Sequence, residues 1–282
     1  MIAIDDILKE INLLEPIPRT AVKLAALVAD ASSTIEQVTE VIRYDPAFTA
    51  DILKLANSAF SGAQRRIVDL KDAVVRLGGA RILEQLLGKK VRASMQIPIT
   101  GYGYGEDELW RHSVAAATAA ENINALLPKP IGGICFTAAL LHDIGKLIIC
   151  RIVSPAIMEE VWSLVSRQSM PLTGEMAEKQ VLGFSHADIG ARIASAWQLP
   201  DLIVSAIGGH HNPNAVDEPV TDVVKIANLT ARSIGEGLGR EGMSLAVDNE
   251  VAMRLGLTRE AFERLCVKTA DKFETIMNMF DS

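Results

Sequence analysis

Between Asp5 and Met95 apolar residues recur at threes and fours, start signals separate one run from the next, and strict apolar–polar alternation is almost absent. That spacing gathers apolar side chains on one face of a 3.6-residue turn and predicts consecutive amphipathic helices. Pro18 opens a run in which Val22, Leu24, Leu27 and Val28 form a buried stripe, and Ser33 with Glu36 makes an S-x-x-E capping box for the next helix. Asp45 before Pro46 predicts a third start, because the N–H that proline lacks would be unpaired in a first turn anyway. This helix carries Ile52, Leu53, Leu55 and Ala56 and ends near Asn57-Ser58, after which Gly62 and Arg65-Arg66 read as loop. Asp69 caps the next helix, and Leu77-Gly78-Gly79 gives a tight turn before a helix over Ala80 to Met95.

Gly101-Tyr-Gly-Tyr-Gly105 lies between helical patterns. No strand precedes it and neither G-x-G-x-x-G nor Walker spacing is present, so it reads as a connector between two halves rather than a phosphate loop. From Asp107 helices resume, ending in a tail whose apolar face is Phe262, Leu265, Cys266, Ala270, Phe273, Ile276 and Met277. The expected architecture is all-α, with an N-terminal helical bundle over residues 1–100 packed on a C-terminal helical domain over residues 107–282.

Composition narrows the function classes. The 282 residues are 49% hydrophobic, enough for a large core, and 35 acidic against 28 basic residues give a formal charge of −7 without a long block of either sign. Affinity for nucleic acid rests mainly on basic side chains neutralising phosphates, so this balance argues against a dedicated binder; the candidate patch would be Arg65, Arg66, Lys89, Lys90 and Arg92. Cys135, Cys150 and Cys266 are far apart with no C-x-x-C pair, which fits packing in a reducing compartment. The opening Met-Ile-Ala-Ile-Asp-Asp lacks a basic segment followed by an apolar one, so a cytoplasmic rather than exported protein is expected. The most apolar stretch, Ile131 to Val153, is interrupted by His142, Asp143 and Lys146 and reads as buried core, not a membrane span.

The chain has five histidines: His112, His142, His186, His210 and His211. His142 and Asp143 fall between Phe136-Thr-Ala-Ala-Leu-Leu and Leu147-Ile-Ile-Cys, so their helix should be buried around most of its circumference. A buried histidine and carboxylate must be paired, hydrogen-bonded or metal-bound. Neighbouring helix positions lie about 100° apart, so His210 and His211 reach one site only at a helix end or around a cluster of more than one metal. His112 and His186 each stand near the start of a helical segment, and singly would be read as core or surface residues. Imidazole and carboxylate together suit zinc, iron, manganese or nickel, and an aspartate can bridge two ions. Lys146, four residues after His142 and three after Asp143, shares their face and either meets a substrate phosphate or pairs with a neighbouring acid.

Leu140-Leu-His-Asp-Ile-Gly-Lys146 resembles the signature of the HD superfamily of metal-dependent phosphohydrolases. The wider pattern is similar to its HDOD branch. Leu13 to Pro18, Asp45-Pro46, Lys54-Leu-Ala-Asn-Ser58 and Leu77-Gly78 resemble the N-terminal half of HDOD domains. Trp110-Arg-His-Ser113, the His-Asp doublet, Gly183-Phe-Ser-His-Ala-Asp-Ile-Gly190, Trp197-Gln-Leu-Pro200 and His210-His211-Asn-Pro213 resemble the C-terminal half. The resemblance implies an all-helical bacterial signalling module acting as a regulatory or partner-binding unit, its input coming from a bound partner, a nucleotide or another phosphoester.

Against the related HD-GYP phosphodiesterases of cyclic di-GMP, the resemblance implies a ligand set of His112, His142, Asp143, His186, His210 and His211 for one or two divalent ions, with Asp143 and Lys146 at the chemistry. Two departures stand out. No Gly-Tyr-Pro follows His211, and the last metal-binding aspartate of the pattern corresponds to Asn228, a neutral and weaker ligand. Asp222 is no substitute, since the six residues between them are roughly 240° around a helix. The expected function is therefore a signalling module with a retained metal site, the alternative being a metal-dependent phosphohydrolase or phosphodiesterase.

Overall fold

A computed structural model describes residues 7, 9–11, 14, 17–58, 66–167, 172–212, 218–242 and 249–280. Among these the chain forms fifteen α-helices and no strand, so the all-α expectation holds. Leu13, Glu15, Pro16, Gly62, Arg65 and residues 213–217 lie outside the described residues.

The N-terminal helices are α1 (Arg19–Ala29), α2 (Ile35–Arg43), α3 (Pro46–Ala56), α4 (Leu70–Leu77) and α5 (Gly79–Met95). Pro18 precedes α1, whose Leu24 is fully buried between Ala21 and Ala25, while Val22, Leu27 and Val28 are half-buried against the same core. The cap of α2 is one residue later than the sequence predicts. The Thr34 hydroxyl accepts from the Gln37 N–H and the Gln37 side chain accepts from the Thr34 N–H, a reciprocal capping box. Ser33 cannot fill that role because its own N–H closes a turn onto the Asp30 carbonyl. Asp45 and Asp69 cap α3 and α4 as expected, accepting from Phe48 and from Lys71 and Asp72. Asn57, in the Lys54-to-Ser58 run, donates to the carbonyls of Leu53 and Ile67 and accepts from the Ile67 N–H, tying the end of α3 to the segment before α4.

The C-terminal helices are α6 (Glu108–Leu126), α7 (Ile134–Leu141), α8 (Gly145–Ile152), α9 (Pro155–Arg167), α10 (Gly174–Leu182), α11 (His186–Ala196), α12 (Asp201–Gly209), α13 (Pro219–Ser233), α14 (Asn249–Arg254) and α15 (Arg259–Phe280). Helix α6 is the spine. Ala115, Ala116, Ala117, Ala119 and Ala120 are all buried, and these small side chains let α13, α7 and α15 approach closely around it. Helices α1 and α5 pack on α7, and α5 also on α6, so one hydrophobic core runs through the described residues.

Four features bear on the expectations from the sequence. His142 and Asp143 are not inside one continuous helix but in a tight turn between α7 and α8. No described helix is long and apolar enough to cross a membrane. Of the candidate basic residues, Arg92 lies over the Trp110 ring at 4.6 Å, while Arg65 and the side chains of Lys89 and Lys90 lie outside the described residues. The three cysteines are free, and Cys135 is fully buried.

Candidate metal centre

The turn between α7 and α8 is what aims the His-Asp doublet. Helix α8 meets the start of α11 so closely that a Cβ on Gly145 would stand 2.0 Å from the His186 carbonyl oxygen and 2.8 Å from the Gly190 nitrogen. Only glycine permits this crossing, and it brings His186, first residue of α11, against Asp143. His112 comes from the first turns of α6; His210 is the C-cap of α12 and His211 the next residue, so this pair does sit at a helix end.

Asp143 is the centre of the arrangement. Its Oδ2 faces His112 Nε2 and His142 Nε2, each at 3.4 Å, and its Oδ1 faces His186 Nε2 at 3.3 Å and His210 Nε2 at 3.8 Å. His211 Nε2 lies 3.1 Å from His186 Nε2. Two donor groups result, each with its ligand atoms within 4.8 Å of one another: His112, His142 and Asp143, and His186, His210 and His211.

The outer nitrogens determine what the inner ones present. His112 Nδ1 donates to the Glu236 carbonyl at 3.0 Å, His142 Nδ1 to the Ala139 carbonyl at 2.7 Å, and His210 Nδ1 to the Ile207 carbonyl at 2.6 Å. A carbonyl only accepts, so Nδ1 carries the proton in each ring and Nε2 presents a lone pair inward. His186 Nδ1 is held by Glu178, whose two oxygens lie at 3.0 and 2.8 Å and whose Oε2 also accepts from the His186 N–H. Glu178 in turn accepts from the Tyr102 hydroxyl at 2.7 Å. Fixing a ring by its outer nitrogen in this way is the usual support of a metal-binding histidine.

Electrostatics makes the interior cation-seeking. Burial pushes the His112 imidazolium down to about 4, and burial together with neighbouring imidazoles holds His210 and His211 well below the ordinary histidine range. At His186 burial acts in the same direction, but Glu178 outweighs it and the net shift is upward. Burial would raise Asp143, yet the Lys146 ammonium beside it holds it well below the usual carboxylate range, so it stays ionised. Lys146 is buried too; Asp143 and Glu241 overcome that cost and keep it charged.

The residues fit a divalent cation on structural grounds. The Nε2 lone pairs of His112 and His142 face each other at 3.3 Å, a repulsive contact with nothing positive between them. Asp143 Oδ1 and His210 Nε2 are fully buried and lack a hydrogen-bond partner among the described residues. Orphaned acceptors of this kind are costly in a protein interior and mark a place for a cation.

Of the predicted site residues, the structure brings together His112, His142, Asp143, His186, His210 and His211. Lys146 donates to Asp143 Oδ2 at 2.7 Å, a pairing with a neighbouring acid. Asn228 is half-buried on α13 and makes no hydrogen bond to the histidines among the described residues. It shares a face with Lys225, which donates to the Asn212 carbonyl, and with Arg232, which pairs with Glu241, so it lies along the rim. Asp222 is taken up by Arg254 in two 2.7 Å hydrogen bonds.

Several contributors escaped the sequence reading. Tyr102 and Tyr104, in the glycine-rich connector, are buried walls of the centre: Tyr102 holds Glu178, and the Tyr104 hydroxyl lies 3.4 Å from Lys146 Nζ. Glu178 had a legible signal, an acid on the same helical face as Ala177 and Leu182, both of which are buried. Glu236 and Glu241 had none, because their glycine-rich segment has no periodicity.

A two-sided His/Asp cluster that could hold a metal ion thus sits on an all-helical scaffold. The chain belongs to the HDOD domain family, whose model matches residues 14–213. It is similar over 96% of its length to a Marinobacter aquaeolei VT8 structure provisionally assigned to signal transduction, with a TM-score of 0.74, 23% identity and 60% of that chain covered. An HDOD domain protein of unknown function from Geobacter sulfurreducens matches 98% of the chain, with 25% identity, a TM-score of 0.61 and 93% of that chain covered. An uncharacterised protein of Treponema pallidum (strain Nichols) is 26% identical over 223 residues, 77% of this chain. The chain spans only 42% of that curated relative's length.

Proposed function

We propose that the chain is an HDOD signalling module built around a divalent-cation centre that binds a phosphoester or nucleotide and passes its state to a protein partner. The observation that carries this reading is Asp143, whose two oxygens each face a separate pair of inward lone-pair nitrogens. His112, His142 and Asp143 would hold one ion and His186, His210 and His211, with the other Asp143 oxygen, a second. The donor set suits iron, manganese, zinc or nickel. When bound, a divalent ion supplies Lewis acidity toward a phosphoryl oxygen. The chain itself supplies the rest: Glu178 orients His186, the Glu236 carbonyl orients His112, and Lys146 neutralises Asp143.

Phosphoester hydrolysis is the second reading, favoured by the position of Lys146, whose ammonium stands beside Asp143 and would stabilise negative charge on a phosphoryl group bound there. Asn228 in place of a carboxylate, and the engagement of Lys146 by both Asp143 and Glu241, favour the binding module. The test is elemental analysis of protein purified without chelators or a histidine tag, followed by incubation with a cyclic dinucleotide and a generic phosphodiester. Metal without turnover supports the module, two metals with metal-dependent turnover make the chain a phosphohydrolase, and no metal overturns the cation centre.

A further inference from the structure

The backbone from Gly235 to Gly242 lies across the centre and brings a carboxylate to it. Glu241 Oε1 lies 3.6 Å from Lys146 Nζ, and its Oε2 lies 3.3 Å from Arg232 Nη1. The same arginine donates through Nη2 to the Gly242 carbonyl at 2.6 Å. Room for this carboxylate is provided by α10, where a Cβ on Gly174 would stand 3.1 Å from Glu241 Oε1. The fit is nonetheless incomplete: Glu241 Oε1 and Arg232 Nε are both buried without a hydrogen-bond partner among the described residues. A donor and an acceptor left unused in one cluster are costly, and this carboxylate reaches each cation with only one oxygen, at 3.6 Å from Lys146 and 3.3 Å from Arg232.

The segment forms a strap over the centre. Gly235, Gly237, Gly239 and Gly242 all have positive φ, so its path rests on glycine. It is fastened by side chains at intervals: Arg111 forks onto Glu236, the Tyr104 hydroxyl donates to the Gly237 carbonyl at 3.0 Å, and Arg240 forks onto Glu159. Its backbone also rests on a cluster residue, since a Cβ on Gly237 would stand 2.4 Å from the His112 ring.

We infer that Lys146 and Arg232 are the two cationic walls of a phosphate subsite beside the His/Asp cluster, and that Glu241 fills it intramolecularly until a phosphate-bearing ligand displaces the strap. The inference rests on the cation-centre reading for the placement of the ligand. A phosphate group has the charge of the carboxylate it replaces and more acceptor oxygens, enough to reach Lys146 and both faces of the Arg232 guanidinium.

The test is calorimetric titration of inorganic phosphate into full-length protein of measured metal content. Glu241→Gln keeps the shape of the side chain and removes its charge, so phosphate should bind about tenfold tighter than to wild type, a gain that Arg232→Ala cancels. Trypsin gives an independent readout on the unmutated chain: cleavage after Arg240 should accelerate when phosphate is added. Adenosine 5′-monophosphate replaces inorganic phosphate in a parallel arm; tighter binding assigns the subsite to nucleotides and equal binding to the free anion. Metal present in both proteins, with no gain from Glu241→Gln and no change in cleavage, overturns the subsite alone. Metal absent from both with the gain intact overturns the cation centre alone.

Discussion

The two halves of the molecule bury different chemistry. Up to Ile99, Glu84 is the one buried polar or charged side chain among the described residues; every other one lies at or beyond His112. The first half is held by apolar contacts such as those of Leu24, Ile42, Ile52 and Leu83. The second half carries Asp143, Lys146, Glu178 and four fully buried histidines in its interior. Taking such groups out of water is costly unless each is paired, so the second half is arranged around satisfying them rather than around compactness alone. Site chemistry is thus confined to the second half, and substitutions should divide along the same line in their effect on metal content.

The largest effect is expected at the bridge. Asp143→Ala leaves Lys146 with Glu241 as its remaining buried acid and removes the carboxylate both donor groups share. Loss of about 3–5 kcal/mol of stability is expected, with metal content near zero and helix content largely retained, read by elemental analysis, chemical unfolding and circular dichroism. Leu24→Ala provides the contrast, a loss of about 2–5 kcal/mol from cavity formation with metal stoichiometry unchanged. Equal metal loss in both variants would erase the proposed division.

Smaller changes sharpen it. Glu178→Ala removes the support of His186 and the partner of Tyr102, and metal affinity should fall about 10–100-fold in a chelator competition. Glu84 is the exception in the first half, and its acid behaviour is testable. Burial, helped by Glu121, pushes its carboxyl from 4.5 up to about 7 against the pull of Arg81 and Lys272. A pKa raised in the folded state means that its contribution to stability is fully present below about 4.5 and lost as pH rises towards 7. Compared with Glu84→Gln, the wild type should therefore lose on the order of 1–3 kcal/mol across that window; parallel stability profiles would refute the assignment. Asn228→Asp should have the smallest effect, a rise in metal occupancy confined to one ion, and no change in stoichiometry or affinity would remove Asn228 from the account.

Much of this was legible in local chemistry. Asp45-Pro46, Asp69 and the threes-and-fours spacing mark helix starts because capping and amphipathicity are properties of a few consecutive residues. The misplaced cap of α2 shows the limit: Ser33 and Thr34 are both competent, and the Asp30 turn decides between them. The apolar runs on either side of the His-Asp doublet place it in one continuous helix and require a partner for it; the turn exists instead because α8 must meet α11 at Gly145 and Gly190, a crossing between residues far apart in the chain.

By itself the sequence determined the all-helical class, most helix starts, the histidines and carboxylate of the cluster, and an acidic charge balance. Those are matters of residue type and short spacing. Only the tertiary structure decided that Asp143 divides its oxygens between two sets of nitrogens, that Tyr102 and Glu178 stand behind His186, and that Glu241 reaches Lys146. Most of these contacts join segments some thirty to a hundred residues apart, as His112 with Asp143 and Glu241 with Lys146. No local period encodes them, because they are selected by the packing of whole helices around α6.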